Sequence, residues 1–481
     1  MKSTLKISMI SLFSFSLSAA QFSEDALRYS TRGTGVGSRA LGMGNAYIGV
    51  SDDYSASIWN PAGLAQLRRL EFTGGVSNFG LTDDAAYLGT TASEDVTATS
   101  LDDIGFVFPF PTVQGSLVFS FGYNRIADYA SSLSFNAYNS QSSIIPTLYD
   151  ADVTYDIPFN TYLTNTTGYT AIQKNVQQHG LVKEGGNLGQ WSFAGGIDVE
   201  ENISFGVTLN IMTGSYDYTR NYVEEDVNNV YSNAQAALPR DSAYLRFNKF
   251  YHDRYINSEI SGGGFTFGMM YRSDRYRVGI IAKMPTSVTI RESYSDAGQS
   301  VFDNIGSWEN NTAPATKHSF DATNEYGISS PWTLGIGASF YIIPELLIAA
   351  DIEQTDWTQM EFTDNAALEK KNPTLQKDFR AVTSYRAGAE VDIPNTDVRL
   401  RAGYSLTPSP YNNDPASFDQ AMYSAGAGIF LQRNVVLDGA VAFGSYKTFR
   451  NQYAFPGIVN ASRTDESITT VTMNITLSYR F

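Results

Sequence analysis

No cysteine occurs in the 481 residues. A disulfide framework, a thiol nucleophile and a thiolate metal site are therefore all excluded. Charged residues are scarce at 17%, below the roughly 25% of an average soluble domain. Histidine is limited to three residues. His179, His252 and His318 fall in three different long connections, without the spacing of a metal site, and are expected to be exposed. The formal charge of −16 leaves no basic surface to displace counterions from a nucleic acid. Beyond the N-terminus no apolar run reaches the roughly 18 residues a membrane helix needs.

What is abundant is aromatic and small: 30 Tyr, 29 Phe and 40 Gly, a composition that favours strands and turns. Lys2 and Lys6 precede the apolar stretch Ile7 to Leu17, and Ser18-Ala19-Ala20 offers small residues before Gln21. The spacing predicts a secretory signal over 1–20. An exported chain without an apolar helix is periplasmic, secreted, or threaded through the outer membrane as a barrel.

Alternation favours the barrel. Ile203, Phe205, Val207, Leu209 and Ile211 alternate with Ser204, Gly206, Thr208 and Asn210, and similar runs centre on Phe119, Phe193, Ile280, Ile336 and Ala427. Lipid-facing strands show apolar residues at every second position over nine to eleven residues. Strands are expected at 70–79, 103–109, 114–124, 190–199, 203–213, 263–272, 276–284, 332–341, 346–355, 383–392, 397–405, 422–431, 435–445 and 468–481, about fourteen in all. Short links at 110–113, 200–202, 273–274, 343–345, 393–396 and 432–434 alternate with long ones at 80–102, 125–189, 214–262, 285–331, 356–382, 406–421 and 446–467. Short turns on one rim and long loops on the other mark a bacterial barrel, an all-β transmembrane antiparallel fold over 68–481. The chain ends on Met473, Ile475, Leu477, Tyr479 and Phe481 in alternation. This resembles the C-terminal strand signature of outer-membrane barrels, with Tyr479 and Phe481 as the assembly signal and the barrel assembly machinery as the implied partner.

Residues 21–67 lack the strand pattern and are rich in Gly, from Gly33-Thr34-Gly35-Val36-Gly37 through Gly42-Met43-Gly44 to Asn60-Pro61-Ala62-Gly63. They are expected to form a compact segment inside the lumen, where glycine permits close backbone approach. The glycine triplet lacks the strand and helix that a phosphate cradle requires. Paired acids at Asp52-Asp53, Asp83-Asp84, Asp102-Asp103 and Glu224-Glu225-Asp226 lack calcium-loop spacing and read as solvated charge. No cofactor, metal ligand or catalytic residue is assigned. In Asn60-Pro61-Ala62-Gly63 the Pro fixes one dihedral and the Gly permits a positive one, so the string predicts a rigid turn.

Ala40-Leu41-Gly42-Met43-Gly44-Asn45-Ala46-Tyr47, Ser51-Asp52-Asp53 and Asn60-Pro61-Ala62-Gly63-Leu64 together resemble the N-terminal hatch of the FadL/TodX family of outer-membrane transporters and its related PorV-like branch. Ser330-Pro331-Trp332-Thr333-Leu334-Gly335 with Ala349-Ala350-Asp351, and Arg401-Ala402-Gly403-Tyr404 with Tyr423-Ser424-Ala425-Gly426, extend the resemblance into the barrel. It implies a fourteen-stranded barrel in the outer-membrane lipid, plugged by the hatch at 21–67. It implies passive uptake of a hydrophobic small molecule, a long-chain fatty acid or hydrocarbon, released by a hatch shift or through a gap in the wall. The hatch opening stands closer to the PorV-like branch, which implies protein secretion or surface attachment instead.

Overall fold

A computed structural model of the chain describes residues 19–31, 33, 35–149, 156–165, 167–231, 247–303 and 317–481. The expected signal segment lies outside them, save for its last two residues. Eighteen strand segments join into one antiparallel sheet. They line up as fourteen staves closed into a barrel. The staves are β1 (Glu71–Tyr87), β2 (Thr90–Phe110), β3 (Leu117–Asp128, resuming at Ser131–Asn139), β4 (Val176–Glu200), β5 (Ile203–Glu225) and β6 (Phe247–Arg272). Two interrupted staves follow, β7 (Tyr276–Lys283, then Ser287–Phe302) and β8 (Lys317–Ser329, then Thr333–Ile343). The rest are β9 (Leu346–Asp356, with Glu361–Thr363), β10 (Ala381–Asp392), β11 (Val398–Thr407), β12 (Gln420–Gln432), β13 (Val435–Asn451) and β14 (Arg463–Arg480). β14 pairs with β1 from Glu71↔Arg480 to Tyr87↔Thr464, which closes the sheet on itself.

Each expected strand falls on a stave, and the short links all lie at one rim. The staves, however, are much longer than expected, and the long links are correspondingly shorter. β5 shows why. In its first half Phe205, Val207, Leu209 and Ile211 point outward, 38–45% exposed, while Ser204, Thr208 and Asn210 are buried inside. Beyond Ile211 the phase reverses: Met212, Tyr216 and Tyr222 are buried, and Thr213, Asp217 and Asn221 face out. The ladder with β4 runs through this point without a register shift. Only the solvent outside has changed, from lipid to water. The apolar series therefore steps by one residue, and an alternation rule reads the step as the end of a strand. The expected link 80–102 is likewise mostly ladder, turning at Leu88 and Gly89, which have φ of 46° and 90°.

The tall staves form a turret above the membrane belt. Part of the β3–β4 connection folds over its mouth, burying Ile144, Ile145, Ile157, Leu163 and Ile172 against Tyr87, Phe135, Tyr222 and Phe250. The buried carboxylate of Glu224 holds this cover by accepting bonds from Ser143 Oγ (2.5 Å) and Ile144 N (2.7 Å). Helix α1 (Ala19–Ser30) lies in the bore below, where Ala26 and Tyr29 join a core with Ile260, Ile290, Phe362 and Phe379.

The histidines depart from expectation. His252 is fully buried, its Nδ1 2.9 Å from Arg220 and its Nε2 2.7 Å from Asp296. His179 and His318 stand on β4 and β8, partly covered rather than in loops. The acid pairs also differ from solvated charge: Asp83, Asp102, Asp103 and Glu224 are buried. For Asp102 and Asp103 a bulge is responsible, because Gly75 pairs with Asp103 and the next residue, Val76, with Leu101. The skipped residue is Asp102, and the bulge lets it and Asp103 both turn their carboxylates into the lumen.

Candidate functional site: a plugged bore with a cavity above the plug

Residues 35–67 pack inside the membrane-depth half of the barrel. Asn60 is fully buried and starts a short 3₁₀ helix, Pro61–Gln66, by accepting from Ala62 N at 3.2 Å. Its Nδ2 donates to Ile48 O (3.0 Å) within the segment and to Met269 O (3.3 Å) on the wall. One side chain thus ties turn, segment and barrel. Glycines on the wall make room: a Cβ at Gly268 would stand 2.1 Å from Asn60 Oδ1, and one at Gly206 2.2 Å from the Pro61 carbonyl carbon. Any side chain there would collide with the plug.

Charges complete the seat. Arg39 makes a two-pronged contact with Glu390, both at 2.8 Å, and also bonds Asp52. Arg277 reaches Asp52 at 3.0 Å, and Arg401 bridges Glu390 (2.7 Å) and Asp438 (2.5 Å). Asp351 Oδ2 accepts from Tyr47 N (2.6 Å) and Ile48 N (2.8 Å). Removing one partner of such a buried pair leaves an uncompensated charge, at a cost of about 3–5 kcal/mol.

Above the plug lies a cavity of about 510 Å³. Val36, Ile58 and Trp59 form its floor, Trp357 and Met422 part of its wall, and Arg28 of α1 one side. Trp59 is fixed by its Nε1–H bond to Val36 O at 3.1 Å, and Arg386 lies over its ring at 5.5 Å.

Ile126 and Tyr129 also line the cavity, and here the wall is incomplete. The β2–β3 ladder stops at Asp103↔Asn124, β3 bulges between Arg125 and Ala127, and it resumes after Ala130 paired to β4. Among the described residues no ladder joins the outer halves of β2 and β3. Gly33 N of the N-terminal segment fills the break by donating to Ile126 O at 2.6 Å. Outside, at this level, Leu101 and Ile104 face lipid.

The Asn60-Pro61-Ala62-Gly63 turn is thus at the centre of the plug. Tyr479 and Phe481 face outward at the short-turn rim, ring centroids 4.5 Å apart. Sequence reasoning missed α1, the cavity and the ion pairs. A signal for the last exists: Glu353, Arg386, Glu390, Arg401 and Asp438 occupy the inward positions of strands whose outward positions are apolar, and charge at membrane depth has a partner or a role.

The profile of the family described as outer membrane protein transport protein (OMPP1/FadL/TodX) matches residues 191–481. Among curated proteins none matches the sequence. The fold is similar to the toluene transporter TodX of Pseudomonas putida, with TM-score 0.58 and 14% identity over 93% of this chain and 99% of that one. A FadL homologue of Pseudomonas aeruginosa gives 0.56 and 12% identity over 93% and 98%. The toluene transporter TbuX of Ralstonia pickettii gives 0.51 and 15% identity over 93% and 99%.

Proposed function

The chain belongs to the OMPP1/FadL/TodX family of bacterial outer-membrane transport proteins, and from that premise we propose that it is a passive entry route for hydrophobic small molecules, fatty acids or hydrocarbons. The observation that carries the reading is the cavity above the plug, partly aromatic and adjoining a stretch of wall where the described β2 and β3 share no ladder. A hydrophobic molecule crossing the hydrated outer leaflet has no favourable surface in a water-filled pore. An apolar pocket offers roughly 25 cal/mol per Å² buried. The plug keeps the bore closed to water-soluble solutes. A guest leaving past Ile126 and Tyr129 would enter the bilayer sideways, without the plug having to come out.

Deleting the gene tests this. Uptake of a radiolabelled alkylbenzene or fatty acid should fall and recover on complementation, with uptake of a small sugar unchanged. Unchanged hydrophobe uptake, with loss of surface-exposed proteins, would overturn the proposal in favour of a secretion role.

A further inference from the structure

Among the cations that line the cavity, Arg28 is paired with Asp25 and Glu184, and Arg450 with Glu466 at 2.8 Å. Lys283 and Arg386 share one acid: Glu353 Oε2 lies 2.8 Å from Lys283 Nζ, and Oε1 lies 3.3 Å from Arg386. All three side chains are only 12–15% exposed. Asp351, the ladder partner of Arg386, turns its Oδ2 to the plug backbone instead. The patch is therefore two cations that share one carboxylate, beside the Trp59 floor. A ligand carboxylate arriving there would meet Glu353 and would have to break its ion pairs to reach either cation.

We infer that Glu353 is a specificity-determining residue, which makes the cavity select uncharged hydrophobic molecules over those bearing a carboxylate. The inference rests on the reading that the cavity takes hydrophobic molecules and narrows it by head group. The chemistry is a balance of partners. With Glu353 ionised, Lys283 and Arg386 are satisfied, and an incoming anion gains nothing that was not already made. With Glu353 neutral, two donors next to an aromatic floor lack their shared acceptor, and a guest carboxylate can replace it. Charge-assisted hydrogen bonds of this kind carry enough energy for about tenfold or more in affinity.

The experiment uses two guests with one ring, 4-bromotoluene and 4-bromobenzoate, whose bromine quenches tryptophan fluorescence in the purified full-length barrel at neutral pH. Wild type should show saturable quenching by bromotoluene and at least about tenfold weaker quenching by bromobenzoate. Glu353→Gln should gain at least about tenfold for bromobenzoate while bromotoluene stays within about twofold, and Glu353→Asp should keep the wild-type preference. Adding Lys283→Gln to Glu353→Gln should take back part of the gain. The inference is overturned if wild type binds the acid as well as the neutral ring, a comparison that needs no variant to fold. It is equally overturned if Glu353→Gln still binds bromotoluene and gains nothing for the acid. Wild type that binds neither ring would instead remove the hydrophobe-uptake reading itself, and this inference with it.

Discussion

At the scale of the residue, the plug depends on side chains that are absent as much as on those present. Gly268 and Gly206 are ladder partners that face the lumen, and the Asn60-Pro61 segment occupies the space a Cβ on either would need. Gly268→Val would force at least three added heavy atoms into Asn60 Oδ1 and the Pro61 ring, while the ladder hydrogen bonds of β6 remain available. The expected outcome is an intact barrel with a displaced plug. Unboiled protein should still migrate as a folded barrel on a gel, while protease cuts residues 35–67 that are protected in wild type. Undiminished protection would show that the contacts at Asn60 do not hold the plug. Loss of the Asn60 bonds leaves buried carbonyls without donors, at about 1–3 kcal/mol for each, a second reason for release.

At the scale of the element, the seat of α1 depends on two buried carboxyls. Burial pushes Glu24 up to about 7, opposed by Arg450 and Arg28 and assisted by Asp25 and Glu184. Burial, with Asp25 next, likewise pushes Glu292, on the outer segment of β7, up to about 7. Both carboxyls therefore have folded values above the free value of 4.5. Their contribution to the seat is complete below about pH 4.5 and is lost as pH rises through about 7. α1 should exchange its amide hydrogens faster at pH 8.5 than at pH 5.5, after correction for intrinsic exchange. The double variant Glu24→Gln, Glu292→Gln should flatten that dependence. A wild-type helix whose protection rises with pH would contradict the assignment.

The elements also show where sequence was readable. The lipid belt was, because hydrocarbon forces every second residue of β5 to be apolar from Ile203 to Ile211. The turret was not, because outside the bilayer the apolar residues move to the inner face, starting at Met212 and Tyr216. The Asn60-Pro61-Ala62-Gly63 string, expected as a turn with a positive dihedral at Gly63, opens a 3₁₀ helix over Pro61–Gln66, and Gly63 serves instead to let the Ser51 carbonyl approach. The tie of Asn60 to Met269 was not legible, because a contact across some two hundred residues leaves no local trace. The inward place of Glu353 was readable from its strand, but its pairing was not, because Lys283 and Arg386 sit on two other staves. The buried Asp102-Asp103 pair was misjudged because a bulge, which the acids themselves do not encode, turns both side chains inward.

At the scale of the whole molecule, three layers follow one another along the bore: a cover over the turret mouth held by Glu224, the cavity beside α1, and the plug. The cover and the plug are held by separate sets of bonds. The break in the β2–β3 ladder lies beside Leu101 and Ile104, which face outward, so on the proposed reading a guest there would stand next to lipid. The central claim, that a hydrophobic molecule resides above a seated plug, is tested most directly by diffraction from crystals soaked in 4-bromotoluene. The account predicts an anomalous bromine peak between Trp59 and Trp357, with residues 35–67 unmoved. Bromine found only in the detergent around the outer wall, with the cavity empty, would contradict it.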